Sequence, residues 1–250
     1  MNQANDHEIA EQIATEVGEL LVKVRAEHSD TPPKELKDIG DQQAHDRIME
    51  MLTELRPDDA VLSEEGSDDL ARLNSDRVWI VDPLDGTREF SEIPRTDWAV
   101  HIALTENGKP IVGAVSLPAQ ELTLSTKEPI TLTEPTDKLR VIVSRTRRPA
   151  PAIALAEKLE AEYIEMGSAG AKAMAVLRGE ADIYAHAGGQ YEWDSCAPVA
   201  VCAAAGLHCS RLDGSPMTYN HENPYLPDLL ICRPELAEQS LQILSELPQD

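Results

Sequence analysis

Asp82, Pro83, Leu84, Asp85, Gly86 and Thr87 stand directly after the apolar run Val78-Trp79-Ile80-Val81. A buried strand therefore delivers two carboxylates and a tight turn to one place. Gly86 and Thr87 fall where the next helix would begin, with backbone N–H groups free to meet a phosphate. Two more acidic elements fit the same chemistry: Glu64-Glu65 after the short run Ala60-Val61-Leu62, and Trp193-Asp194 much later in the chain. Carboxylates a few Å apart repel unless a cation neutralises them. Hard oxygen donors suit Mg²⁺ better than zinc, and Pro83 fixes the backbone so that the Leu84 carbonyl can join them. Two such ions would acidify a water and stabilise a leaving oxygen, the requirements of phosphate-ester hydrolysis.

Each element also has a plainer reading. Asp-Pro-x-Asp-Gly is a good turn sequence by itself. Ser63-Glu64-Glu65 reads as a helix cap, and Trp193-Asp194 as a core tryptophan with an aspartate N-cap. Their joint occurrence favours a metal site.

The elements that must position these groups are legible in outline. Ile9, Ile13, Val17, Leu20, Leu21 and Val24 recur at helical spacing, as do Ile48, Met51, Leu52 and Leu55, and Thr31-Pro32-Pro33 breaks between the two helices. From Trp98 to Thr126, short runs rich in Val, Ile, Leu and Thr surround an Asn107-Gly108 hairpin turn and predict an antiparallel meander. After a Pro- and Thr-rich stretch from Pro129 to Asp137, strand-like and helix-like segments alternate: 139–143, 151–159, 169–177, 181–184 and 195–205. The expected fold is α+β with an α/β half, divided into residues 1–136, with most of the metal ligands, and 137–250, with Asp194 and the specificity elements.

A length of 250 residues with 42% hydrophobic content supports proper cores. The formal charge of −23 argues against a nucleic-acid polymer as partner. Metals would reverse the local field and let so acidic a chain hold a phosphorylated small molecule. No apolar run approaches the roughly 20 residues of a membrane span, and residues 1–12 lack a signal-peptide pattern. Cys196, Cys202, Cys209 and Cys232 form no C-x-x-C pair. A cytoplasmic location is expected, with no membrane partner and with homodimerisation left open.

Together these residues resemble the lithium-sensitive, magnesium-dependent phosphatase superfamily that includes inositol monophosphatase and fructose-1,6-bisphosphatase. The resemblance rests on D-P-[LI]-D-G-T at Asp82 to Thr87, W-D-x-x-[AG] at Trp193 to Ala197, and Glu64-Glu65 upstream. It implies a layered αβαβα sandwich and two or three Mg²⁺ ions. By resemblance, Glu64, Asp82 and the Leu84 carbonyl hold the first ion, and Asp82, Asp85 and Asp194 the second. Thr87 and Glu64 orient the attacking water, the Gly86 and Thr87 N–H groups contact the phosphate, and Asp41 supports the water and a third ion. The family's pattern around that aspartate is not preserved in Lys34 to Gly40.

Arg88-Glu89-Phe90 resembles the Lys-Glu-Phe of the 3′(2′),5′-bisphosphate nucleotidases, the CysQ type, where inositol phosphatases continue Thr-Asn-Phe. Val143-Ser144-Arg145-Thr146 is similar to their S-R-S-H element, Gly167-Ser168 with Lys172 to their G-S-x-x-K with one residue inserted, and Trp193 to Pro198 to W-D-T-C-A-P. His186 stands where inositol phosphatases place a sugar-gripping glutamate, and it receives no catalytic role. The resemblance implies removal of the 3′-phosphate of 3′-phosphoadenosine 5′-phosphate to give AMP. Asp85, Gly86, Thr87, Arg88, Ser144, Arg145, Gly167, Ser168, Lys172 and Asp194 then bind substrate, with Arg145 and Lys172 as candidate anchors for the second phosphate. The rivals are a broad inositol-1-phosphate and fructose-1,6-bisphosphate phosphatase and a non-catalytic nucleotide-binding protein.

Overall fold

The apolar positions at helical spacing form two long helices, α1 (Asp6–Glu27) and α2 (Pro33–Leu55), in the computed structural model, which describes residues 5–134 and 138–247. Asn5 caps α1: its side chain accepts from the Glu8 N–H, and the Glu8 carboxylate accepts from the Asn5 N–H. Pro33 occupies the first turn of α2, where its missing N–H has no intrahelical acceptor to lose. Ile9, Ile13, Val17, Leu21 and Val24 meet Ile48, Met51 and Leu52 in an apolar cluster over the first sheet.

That sheet runs β1 (Ala60–Ser63), β2 (Arg77–Asp85), β3 (Ala99–Glu106), β4 (Lys109–Leu117) and β5 (Leu122–Ser125) in spatial as in chain order, with the short helix α3 (Thr87–Ser91) between β2 and β3. β1 lies parallel to β2, and the remaining pairs are antiparallel, so the expected meander is present. Asn107 and Gly108 take φ of 50° and 74°, as a two-residue primed turn requires. Trp79 and Val81 face the outer helices while Val78 and Ile80 face inward, the period-2 alternation of a strand buried on both sides.

The second half contributes β6 (Arg140–Ser144), α4 (Ala150–Lys158), β7 (Glu162–Met166), α5 (Ala169–Leu177), β8 (Ile183–Tyr191), α6 (Glu192–Ala204), β9 (His208–Ser210), β10 (Tyr225–Cys232) and α7 (Ala237–Ser245). Its sheet order is β7-β6-β8-β10-β9. The first three strands are parallel and the last two join antiparallel, so the sheet is mixed. The sequence reading lacks β7, β9, β10 and α7. Pro227 interrupts the β10 run and coincides with a bulge between Leu226 and Asp228, and Glu162 and Glu165 hide β7.

α1 and α2 pack on the outer face of the first sheet, α5 and α6 fill the space between the sheets, and α4 and α7 cover the far face of the second. This is the expected αβαβα sandwich. The division between residues 136 and 137 falls outside the described residues. The sheets lie on either side of it, and one apolar cluster runs through the shared helical layer.

Candidate active site

Asp82 and Asp85 are three residues apart, so a regular strand would point them to opposite faces. The ladder avoids this with an irregularity: Asp82 pairs with His101 and Asp85 with Ala99, leaving Pro83 and Leu84 opposite Val100 alone. A bulge of this kind re-aims side chains, and Pro83, which has no N–H for the ladder, stands at it. Carboxylate oxygens of Asp82, Asp85 and Asp194 all lie within 4.8 Å of one another. Asp82 also accepts from the Leu84 N–H at 3.0 Å. Gly86 follows in the left-handed region (φ 86°), where a Cβ would also press on Ser168 at 3.0 Å. The turn then enters α3 at Thr87, and the Gly86 carbonyl accepts the first helical bond from Phe90.

Asp194 arrives from the first turn of α6, where it accepts from the Tyr191 N–H at 2.7 Å. It is the third helical residue, and Tyr191 occupies the N-cap position. Trp193 is half-buried and stacks on Tyr191, ring centroids 5.0 Å apart, outside the deep core. Glu64 lies in a turn after β1, at the solvent edge, and begins no helix. Its carboxyl interacts electrostatically with those of Asp82 and Asp85. α2 packs its Gly40 against Leu84 and Phe90, which brings Asp41 into the field of Glu64 and Glu65.

Burial, then the charges of Glu64, Asp85 and Asp194, holds Asp82 well above the ordinary carboxylate range. Asp194 is pushed up to about 7 by burial and by Asp85. Asp41 rises to about 7 through burial and Glu65 and Glu64, and Glu64 is raised by desolvation and Glu65. Asp85 moves the other way: burial alone would raise it, but His101, Lys172 and the Ser168 hydroxyl outweigh burial. An all-oxygen set of repelling carboxylates fits a hard divalent cation and suits zinc poorly.

The second half closes over this centre. Asp85 Oδ2 accepts from Ser168 Oγ and from the Gly170 N–H at 2.6 Å. Lys172 is buried beneath the same turn, its Nζ donating to the Gly167 and Ser168 carbonyls at 2.5 and 2.7 Å. Arg145 is held by Glu89 at 2.5 Å and Glu92 at 2.8 Å. Both candidate phosphate anchors thus have protein partners, because buried or half-buried cations settle on the nearest oxygens. Ser144 ends β6, with its hydroxyl 3.1 Å from that of Thr146. Arg88 is exposed and makes no ion pair among the described residues. His186 is buried and pushed down to about 4 by burial, Lys172 and Arg147.

Two buried ionisable groups beside these elements lie outside the motifs, and of them His101 meets the carboxylates. His101, fully buried on β3, stands 3.2 Å from Asp85 Oδ2. Glu192 accepts from the Asn220 and His221 N–H groups beside the start of α6. The signal for His101 is an ionisable residue at an inward position of a buried strand, since such groups need partners. Glu192 carries no comparable signal.

The chain matches the family model described as Inositol monophosphatase family over residues 2–249. It is 53% identical over 231 residues to a protein of Mycobacterium tuberculosis (strain CDC 1551 / Oshkosh) named 3′-phosphoadenosine 5′-phosphate phosphatase, covering 89% of this chain and 86% of that one. The protein of that name from Mycobacterium leprae (strain TN) is 46% identical over 260 residues, covering 99% and 96%. Among solved structures, CysQ from Bacteroides thetaiotaomicron superposes with a TM-score of 0.76 at 27% identity, over 90% of this chain and 96% of that one.

Proposed function

The chain belongs to the inositol monophosphatase family, and from that premise we propose that it hydrolyses the 3′-phosphate of 3′-phosphoadenosine 5′-phosphate to AMP and phosphate, with Mg²⁺ as cofactor. The observation that carries this reading is the convergence of Asp82, Asp85 and Asp194 within 4.8 Å beside the turn bearing Thr87 and Arg88. Relatives named for that substrate support the choice of ester.

Asp82, Asp85 and Asp194 would hold one cation, Glu64, Asp82 and the Leu84 carbonyl would hold a second, and Asp41 would support a third. Bound cations supply charge neutralisation of the phosphate and a more acidic water. The Thr87 hydroxyl would orient a water, and the Glu64 carboxylate would take its proton. The Gly86 and Thr87 N–H groups, without intrahelical acceptors at the start of α3, receive the phosphate oxygens. Arg88, with no ion pair among the described residues, takes the 5′-phosphate through charge-assisted hydrogen bonds. Lys172 and Arg145 act behind it, holding the turn 167–170 and the segment 89–92. Four free cysteines fit a reducing compartment, the cytoplasm, and no described helix is long and apolar enough to cross a membrane.

A panel of 3′-phosphoadenosine 5′-phosphate, inositol 1-phosphate, fructose 1,6-bisphosphate and AMP, at equal concentration with and without Mg²⁺, tests the proposal. The nucleotide bisphosphate should be fastest, only with metal, and should yield AMP. An inositol or sugar phosphate that outruns it would overturn the substrate assignment, and metal-independent turnover would overturn the metal assignment.

A further inference from the structure

His101 is a buried side chain that the reaction so far leaves without a task. Its Nδ1 lies 3.0 Å from the Trp193 carbonyl oxygen. A carbonyl can only accept, so Nδ1 carries the hydrogen. Its Nε2 lies 3.2 Å from Asp85 Oδ2, an ion-pair separation without hydrogen-bond alignment. The hydrogen bonds that Asp85 accepts from Ser168 and Gly170 go to that same Oδ2, which leaves Oδ1 for a cation. A Cβ at residue 170 would come within 2.0 Å of Nε2, so α5 reaches this position only because Gly170 has none. One imidazole ring therefore touches the end of β2, the start of α5 and the start of α6.

We propose that His101 is a positioning residue that ties Trp193 and Asp194 to Asp85 and thereby sets the spacing of the carboxylates that hold the divalent cation. The inference rests on the metal reading above. Asp85 and Asp194 belong to different elements, and their like charges favour separation until a cation arrives. Without the ring, the first turn of α6 relaxes outward, and cation binding must draw it back. Binding is then weaker because the site is no longer preorganised. Loss of a group that orients metal ligands characteristically lowers metal affinity about 10- to 100-fold.

The test titrates metal-free protein with Mn²⁺, reading free Mn²⁺ by electron paramagnetic resonance, for wild type, His101→Ala and His101→Asn. Kinetics with 3′-phosphoadenosine 5′-phosphate at saturating Mg²⁺ follow for each. His101→Ala should weaken Mn²⁺ binding about 10- to 100-fold. His101→Asn, whose amide replaces Nδ1–H at the Trp193 carbonyl but stops short of Asp85, should weaken it less, about threefold to tenfold. KM at saturating metal should stay within about threefold for both, since neither change removes a substrate contact. Mn²⁺ affinity within about twofold of wild type in folded His101→Ala would overturn the inference, as would a raised substrate KM with metal affinity intact. If His101→Ala does not fold, His101→Asn decides by the same comparison. A wild-type protein that binds no Mn²⁺ would instead overturn the metal reading, and this inference with it.

Discussion

Stripped of divalent cations, the folded protein should lose stability as pH rises from 5 to 8. Asp194 and Asp41 each move from an ordinary 3.8 up to about 7, with Asp82 and Glu64 also raised. Between about pH 4 and 7 the folded state therefore holds protons that the unfolded chain has released, and stability falls with pH across that window. The contribution is fully present below the unfolded value and lost through the folded one. A move from 3.8 to about 7 corresponds to roughly 4 kcal/mol. Partial exposure and mutual coupling reduce this to about half for each group, so Asp194 and Asp41 together cost about 4 kcal/mol by pH 8. For a chain of this size that is a fall of roughly 10 °C in Tm. Thermal unfolding in EDTA at pH 5, 6, 7 and 8 should show it, and saturating Mg²⁺ should remove most of it by binding the folded state alone. Asp194→Asn, which keeps the background of a −23 net charge nearly unchanged, should flatten the EDTA profile and lose most of the Mg²⁺-induced rise. An EDTA Tm that climbs through the window, or profiles for wild type and Asp194→Asn that superimpose, would refute the reasoning.

Asp85→Asn should fold yet lose activity by at least about a hundredfold, because it removes anionic charge from the metal centre at nearly constant volume; near-normal turnover in the folded variant would contradict the ligand set. Thr87→Ala should retain Mn²⁺ affinity while kcat falls about 10²- to 10³-fold if its hydroxyl has the proposed task of orienting water; equal losses in metal binding would move Thr87 into the ligand set. Arg88→Ala should lower kcat/KM for 3′-phosphoadenosine 5′-phosphate by about tenfold or more while sparing inositol 1-phosphate, which lacks a second phosphate. Lys172→Ala, by contrast, should lower both substrates alike, because its ammonium holds the Gly167 and Ser168 carbonyls; a loss confined to the bisphosphate would make Lys172 the anchor instead.

Local chemistry was readable wherever neighbouring residues suffice. The run from Val78 to Thr87 announces a buried strand and a turn, and both are present because the interactions that build them span a few residues, although the strand runs on through a bulge to Asp85 where the apolar run stops at Val81. Asn107-Gly108 specifies its hairpin for the same reason: backbone conformational preference belongs to the residue itself. The first two helices declare themselves through apolar periodicity. The acidic motifs and their order pointed to a metal-dependent phosphatase before any distance was known. Strands such as β10, with Pro227 at its bulge, are held by pairing and burial, and their own residues give no comparable signal.

Tertiary structure alone decided which partners the charged groups found. Arg145 is a cation in the sequence, free to be assigned to a phosphate; folding brings to it Glu89 and Glu92, more than fifty residues away, while Lys172 is buried over carbonyls only four and five residues before it. His101 is an ionisable residue in a buried strand until the sandwich brings Asp85 and the Trp193 carbonyl to its two nitrogens. The opposite displacements of Asp82 and Asp85 arise in the same way, from burial acting on both and a cationic neighbourhood reaching only one. Side-chain chemistry is a property of the residue, and so the sequence carries it. Desolvation and charge proximity depend on distances between remote segments, and only the packed layers set those distances.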